Sequence, residues 1–151
     1  TPEQWRDLIA RAPLPLMLKG IMTAEEAMLA AQAGAVGVVV SNHGGRVLEG
    51  SAGTGAVLPA IAAAVKGRVA VLADGGVRSG GDVLKMLALG ADAVLIGRPL
   101  AVAAIGGLAQ GVEKYLGKIQ FELSQNLVLT GCPSPSEAGP HLIHRADALP
   151  A

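Results

Sequence analysis

The chain has 151 residues, 51% hydrophobic and 16% charged, with 12 Lys and Arg balancing 12 Asp and Glu. A composition this apolar excludes disorder, and a neutral chain lacks the basic excess by which proteins hold nucleic acid. No uncharged apolar run reaches the roughly 18 residues of a membrane helix and no signal peptide opens the chain; with a lone cysteine, Cys132, this points to a cytoplasmic protein without a membrane span.

Thr1-Pro2-Glu3-Gln4 reads as a helix start leading into Trp5 and Leu8-Ile9. Four short apolar runs follow, at 14–20, 36–42, 69–75 and 93–98, each ending in glycine or polar residues. None alternates with polar residues, so each reads as a strand covered on both faces, as in a parallel sheet. Thr23 and Glu26 form a capping box that opens a helix closing at Gly34. A second helix is expected from about 56 to 66, stopping at Gly67, with Pro59 near its start where a missing N–H is tolerated. A third is expected from about 81 to 89, with Gly90 as its stop. After the fourth strand come a short apolar segment, 100–105, and an amphipathic stretch of about 108–129. In the latter Val112, Tyr115, Leu116, Ile119 and Leu123 recur at helical spacing, and Gly131 ends it. The tail, 132–151, is rich in Pro, Ser and His and reads as irregular. Trp5 and Phe121 are expected in the core or an interface. A helix followed by four βα units requires right-handed crossovers and a parallel sheet.

Lys19, Ser41-Asn42-His43, Asp74 and Arg98 all fall at or just beyond the C-terminal ends of these strands. In parallel α/β sheets and barrels ligands bind at that edge, because the βα loops converge there. In the segment Ser41-Asn42-His43-Gly44-Gly45-Arg46, His43 can serve as a base near neutral pH. Arg46 can hold a carboxylate with two parallel hydrogen bonds. Lys19 reads either as a snorkelling surface lysine or as a cation that stabilises developing negative charge. Asp74-Gly75-Gly76-Val77-Arg78-Ser79-Gly80-Gly81, followed by a helix, has the makings of an anion cradle. Its glycines allow close backbone approach, the helix start offers N–H groups and Arg78 adds a guanidinium. Gly97-Arg98 supplies a second cationic loop. The competing reading of both loops is tight glycine turns with exposed arginines. His141 and His144 have no Asp, Glu or Cys arranged around them as further ligands, so no metal site is expected.

Taken together, LPLMLKGI (14–21), AGAVGVVVSNHGGR (33–46), VLADGGVRSGGDVLKMLALGADAVLIGRP (71–99) and LTGC (129–132) resemble the FMN-dependent 2-hydroxy-acid oxidoreductases, the glycolate oxidase, lactate oxidase and lactate dehydrogenase family. SNHGGR is the specific part. The resemblance implies a TIM-type (β/α)8 barrel, of which this chain matches strands five to eight and the terminal helix. Residues 1–131 would then form the C-terminal half of an FMN-binding barrel, with 132–151 as an appended tail. It also implies roles. Lys19 resembles the lysine at the flavin N1–C2 carbonyl edge, Ser41 the serine near the flavin ring, and His43 the base that takes the substrate proton. Arg46 resembles the arginine that binds the substrate carboxylate. Asp74, Gly75, Gly76, Arg78, Gly97 and Arg98 resemble the ribityl and phosphate contacts of FMN.

The expected reaction is oxidation of a small 2-hydroxy acid, lactate-like or glycolate-like, to a 2-keto acid, with the electron acceptor left open. The family commonly has Gln and Asp where this chain has Val47 and Glu49, which bears on substrate rather than chemistry. A complete barrel needs about 250 residues, so the chain is expected to act as part of a longer one. A half-barrel exposes sheet edges and apolar surface, which favours pairing with the missing N-terminal half or self-association into a homo-oligomer. Two alternatives compete: a non-catalytic flavin- or phosphate-binding half-barrel serving as an assembly partner, and another FMN barrel enzyme such as an isomerase or IMP dehydrogenase relative. His43 and Arg46 together argue against the second.

Overall fold

The structure is a computed structural model that describes residues 1–144, so the last seven positions of the expected 132–151 tail lie outside the described residues. The chain divides into two compact units, Thr1–Gly76 with Gly90–Leu95, and Val77–Leu89 with the residues from Ile96 onward.

The first unit holds α1 (Pro2–Arg11), β1 (Met17–Ile21), α2 (Ala24–Gln32), β2 (Gly37–Val40), α3 (Thr54–Val65), β3 (Ala70–Ala73) and β4 (Ala93–Val94). Its four strands lie in the order β1-β2-β3-β4, and every neighbouring pair is parallel. This is the strand-by-strand progression of the βα-barrel class that the sequence predicts. All four residues of β2 are buried, as an unbroken Gly-Val-Val-Val run requires when both faces are covered. The capping box of α2 forms as expected: Thr23 Oγ1 accepts from the Glu26 N–H, and Glu26 Oε2 accepts from the N–H groups of Thr23 and Met22. In α3 the fully buried Leu58, Ile61 and Val65 recur on one face, each contributing about 1.5–3 kcal/mol of apolar burial.

Two elements depart from the sequence reading. The helix α3 begins at Thr54, so Pro59 sits inside it and not at its start; the helix forgoes one backbone hydrogen bond there. The strand expected over 93–98 shortens to Ala93–Val94. The ladder gains one more bond, from the Leu95 N–H to the Ala73 carbonyl. Gly97, at φ −103° and ψ −94°, then turns the chain into a helix. At the other end of β4, the Asp92 carboxylate accepts from the Val71 N–H at 2.7 Å and so satisfies a donor that no strand residue reaches.

The second unit pairs α4 (Gly80–Ala88) with α5 (Arg98–Leu129). Gly107 and Leu108 depart from helical geometry, so α5 consists of two helical segments; the second matches the helical pattern expected over about 108–129, and the short apolar segment 100–105 is helical as well. The second segment packs close against α4 at Gly80, where an added Cβ would lie 2.6 Å from the Ile119 carbonyl oxygen. Ile119 is buried and anchors the long segment. Phe121, expected in a core or interface, is 66% exposed, while Trp5 in the first unit is half-buried. Beyond α5 the described part of the tail contains 3-10 turns at Pro135–Glu137 and Pro140–Leu142. Among the described residues no helix is long and apolar enough to cross a membrane.

Candidate active site

Within the first unit, the C-terminal ends of β1, β2 and β3 bring Lys19, Ser41, His43 and Asp74 into one connected group. The device that aims Lys19 is a bulge. The β1–β2 register shifts between Lys19 and Ile21, and the intervening Gly20 adopts φ +99°, a conformation in which a side chain would be strained. Lys19 Nζ donates to Ser41 Oγ and to Asp74 Oδ2, each at 2.5 Å. The ammonium is therefore neither a loose surface lysine nor a buried one: its side chain is 43% exposed while that of Asp74 is 19% exposed. A lysine has three N–H donors, so one remains to face a ligand.

Ser41 is buried and joins Lys19 to the histidine loop. Its Oγ also accepts from the His43 backbone N–H at 3.2 Å. Asn42 sets the rest of that loop: its Oδ1 accepts from the Gly45 N–H and its Nδ2 donates to the Ala52 carbonyl. The result is a 3-10 turn over His43–Gly45 with His43 at φ +55°. A left-handed histidine is uncommon and is retained only where surrounding bonds fix it. The imidazole lies beside the backbone of Gly20, where an added Cβ would be 3.9 Å from His43 Cε1. Arg46 closes the turn, exposed and without an ion-pair partner among the described residues, so its guanidinium is open to an incoming carboxylate.

Asp74 is held from three directions. Its N–H donates to the Val40 carbonyl, its carbonyl accepts from Thr54 Oγ1 at 2.6 Å, and its Oδ2 accepts from Lys19. The remaining oxygen, Oδ1, is buried and has no hydrogen-bond partner among the described residues. An unpartnered buried carboxylate oxygen costs roughly 1–3 kcal/mol or more unless a donor reaches it. A polyol hydroxyl would supply that donor, and a carbonyl or anionic oxygen would suit the third N–H of Lys19. These two demands fit the ribityl chain and the ring carbonyl edge of FMN. Gly75 follows Asp74 at φ +98°, and an added Cβ there would stand 2.8 Å from Thr54 Oγ1.

The remaining predicted cofactor residues fall elsewhere. Gly76 ends the first stretch of this unit, whereas Arg78, Gly97 and Arg98 belong to the second. There three of the N–H groups around the start of α4, those of Arg78, Gly80 and Asp82, have partners within the chain. Ser79 Oγ accepts from the Asp82 N–H, Asp82 Oδ2 accepts from the Arg78 N–H and the Ser79 hydroxyl, and Glu122 Oε2 accepts from the Gly80 N–H at 2.9 Å. Burial pushes the Asp82 carboxyl up, but the hydrogen bonds from Ser79 and Arg78, with Lys85 nearby, outweigh it and leave the group below the usual aspartate value. Lys118 and the Gly80 N–H likewise hold Glu122 low. The same loop offers the Arg78 side chain, which is exposed while its carbonyl accepts from the Tyr115 hydroxyl. The Ser-x-x-Asp pattern at 79–82 is a readable helix cap. Gly20, Thr54 and Glu122 carry no such local signal.

The chain matches the family model of FMN-dependent dehydrogenases over residues 1–145. It belongs to that family. Among its relatives, an L-lactate dehydrogenase of Xanthomonas campestris pv. campestris is 51% identical over 123 residues, covering 82% of this chain and 32% of that protein. A peroxisomal (S)-2-hydroxyacid oxidase of Arabidopsis thaliana is 46% identical over 133 residues, covering 86% of this chain and 37% of that protein. A solved structure of a mandelate oxidase mutant with a monooxide FMN adduct superimposes with a TM-score of 0.87 at 47% identity, covering 91% of this chain and 44% of that one. The chain thus spans about a third of the length of these curated relatives. The family expected from SNHGGR is the family found, and these relatives lend no support to an isomerase, an IMP dehydrogenase relative or a non-catalytic partner.

Proposed function

We propose that this chain supplies the base, the carboxylate grip and part of the cofactor pocket for FMN-dependent oxidation of a small 2-hydroxy acid to a 2-keto acid, acting within a longer protein. The observation that carries this reading is the Lys19–Ser41–His43–Asp74 group with its buried, unpartnered Asp74 Oδ1. By the family resemblance, Lys19, Ser41, Asp74, Gly75 and Gly76 are the residues that would hold FMN, and Arg78, Gly97 and Arg98 those that would serve its phosphate. FMN, when bound, would supply the acceptor for the two electrons and for the second hydrogen lost as the substrate carbinol becomes a ketone.

The chain's own residues do the rest. Arg46 pairs with the substrate carboxylate and so fixes which face of the carbinol meets the imidazole. His43 takes one proton from the carbinol as its C–H and O–H bonds give way to C=O. The 3-10 turn holds the imidazole in place at the end of β2. Lys19, already bonded to Ser41 and Asp74, places positive charge where negative charge would accumulate.

Residues 1–131 form the barrel portion of this reading and 132–151 its appended tail; the N-terminal half of the barrel completes the pocket, and the exposed sheet edges favour pairing with that half or self-association. The lone Cys132 is a buried free thiol, which suits a reducing compartment such as the cytoplasm. The electron acceptor, whether oxygen, a quinone or a cytochrome, lies outside what these residues choose.

The test is the visible spectrum of the complete protein, followed by anaerobic addition of L-lactate or glycolate. A flavin spectrum that bleaches is the expected result. His43→Ala should retain FMN and lose bleaching by at least about a hundredfold in rate. A colourless protein, or unaltered reduction by the variant, would overturn the assignment.

A further inference from the structure

We infer that Thr54 is a positioning residue for the Asp74 carboxylate, and through it for the Lys19 ammonium. Thr54 is 3% exposed, one of the two polar residues among the described core, and it opens α3 behind Gly53. A threonine in the first turn of a helix ordinarily turns its hydroxyl to water or to the helix's own backbone. Here the hydroxyl instead reaches twenty residues along the chain to the Asp74 carbonyl at 2.6 Å.

That bond completes the fixation of Asp74. With its N–H committed to Val40 and its carbonyl to Thr54, only the two side-chain torsions of Asp74 remain free. Oδ2 on Lys19 settles those, so the direction of Oδ1 follows. Gly75 enforces the arrangement from the other side. At φ +98° it turns the chain immediately after Asp74, and the space its Cβ would need is taken by Thr54 Oγ1 at 2.8 Å and Cγ2 at 3.3 Å. The hydroxyl and methyl of Thr54 together form the wall against which the Asp74-Gly75 turn is set. A valine there keeps the wall and removes the donor. A serine keeps the donor and loses the methyl.

The consequence for FMN rests on the proposed function above; the coupling of Thr54 to Asp74 does not. The experiment is a double-mutant cycle of Thr54→Val and Asp74→Asn in the complete protein, read two ways: FMN affinity of the apoprotein by fluorescence quenching, and urea unfolding of the apoprotein. Thr54→Val should weaken FMN about tenfold, the equivalent of one hydrogen bond, and Thr54→Ser less than twofold. In the Asp74→Asn background Thr54→Val should change FMN affinity less than twofold, and the two stability losses should be non-additive. Equal weakening in both backgrounds, or Thr54→Ser as damaging as Thr54→Val, overturns the inference. If the unsubstituted protein takes up no FMN, the functional reading fails by itself, and additive unfolding losses then overturn the positioning role while non-additive ones sustain it. Should Thr54→Val not fold, Thr54→Ala takes its place in the same cycle.

Discussion

The contact between α4 and α5 depends on the absence of a single carbon atom. An alanine at Gly80 would put its Cβ 2.6 Å from the Ile119 carbonyl oxygen and 2.6 Å from the Glu122 carbonyl carbon, about 1 Å inside ordinary contact. Both are backbone atoms of a long helix, so no side-chain rotation relieves the clash and α4 must move away. Overpacking of this kind costs about 1–3 kcal/mol. The displacement also loosens the charge-assisted bond from the Gly80 N–H to Glu122, adding about 1.5 kcal/mol. Against these, alanine returns about 0.5–1 kcal/mol of helix propensity. The expected net loss is about 2–3 kcal/mol. Urea unfolding followed by circular dichroism at 222 nm reads it as a midpoint lowered by about 1–2 M at an m-value near 1.5–2 kcal/mol/M. A midpoint unchanged or raised would mean that the helices do not meet at Gly80, and the close approach would have to be abandoned.

Gly20→Ala should lower stability by about 1–2 kcal/mol through left-handed strain while leaving substrate KM unchanged, since the new Cβ only reaches contact distance from His43 Cε1; an unshifted melting temperature counts against the bulge. Ser41→Ala removes the acceptor shared by Lys19 and the His43 N–H and should cost about 1–3 kcal/mol together with a slower flavin reduction, so unchanged reduction would detach Ser41 from the site. The Glu122 carboxyl is held below its ordinary value of 4.5 first by Lys118 and then by the Gly80 N–H. Its folded-state pKa is therefore lower than its unfolded one, and its contribution to stability is complete above about pH 4.5 and disappears as pH falls through the folded value. Glu122→Gln should flatten the acid limb of stability against pH, and an acid limb identical to that of the unsubstituted protein refutes this.

The residues proposed to meet the ligand are legible because chemistry and fold coincide in short stretches. A strand buried on both faces must end where polar residues begin, so Lys19, Ser41-Asn42-His43 and Asp74 announce both the end of a strand and the edge of a pocket. The glycines beside them mark the turns that let a backbone come close. The α4 start shows the limit of that logic. Its glycines and helix N-terminus read as an anion site in isolation, yet Asp82 from the same turn takes the Arg78 N–H and Glu122 from 42 residues away takes the Gly80 N–H. The same limit hid Thr54, whose partner lies 20 residues off, and shortened β4, whose length depends on which neighbours it finds. Local sequence states which groups are present at a strand end, but hydrogen-bond satisfaction across elements decides which stay available. Asp74 makes the point most sharply. Val40, Thr54 and Lys19 satisfy every other polar group it has, and this leaves a buried oxygen that no donor among the described residues reaches.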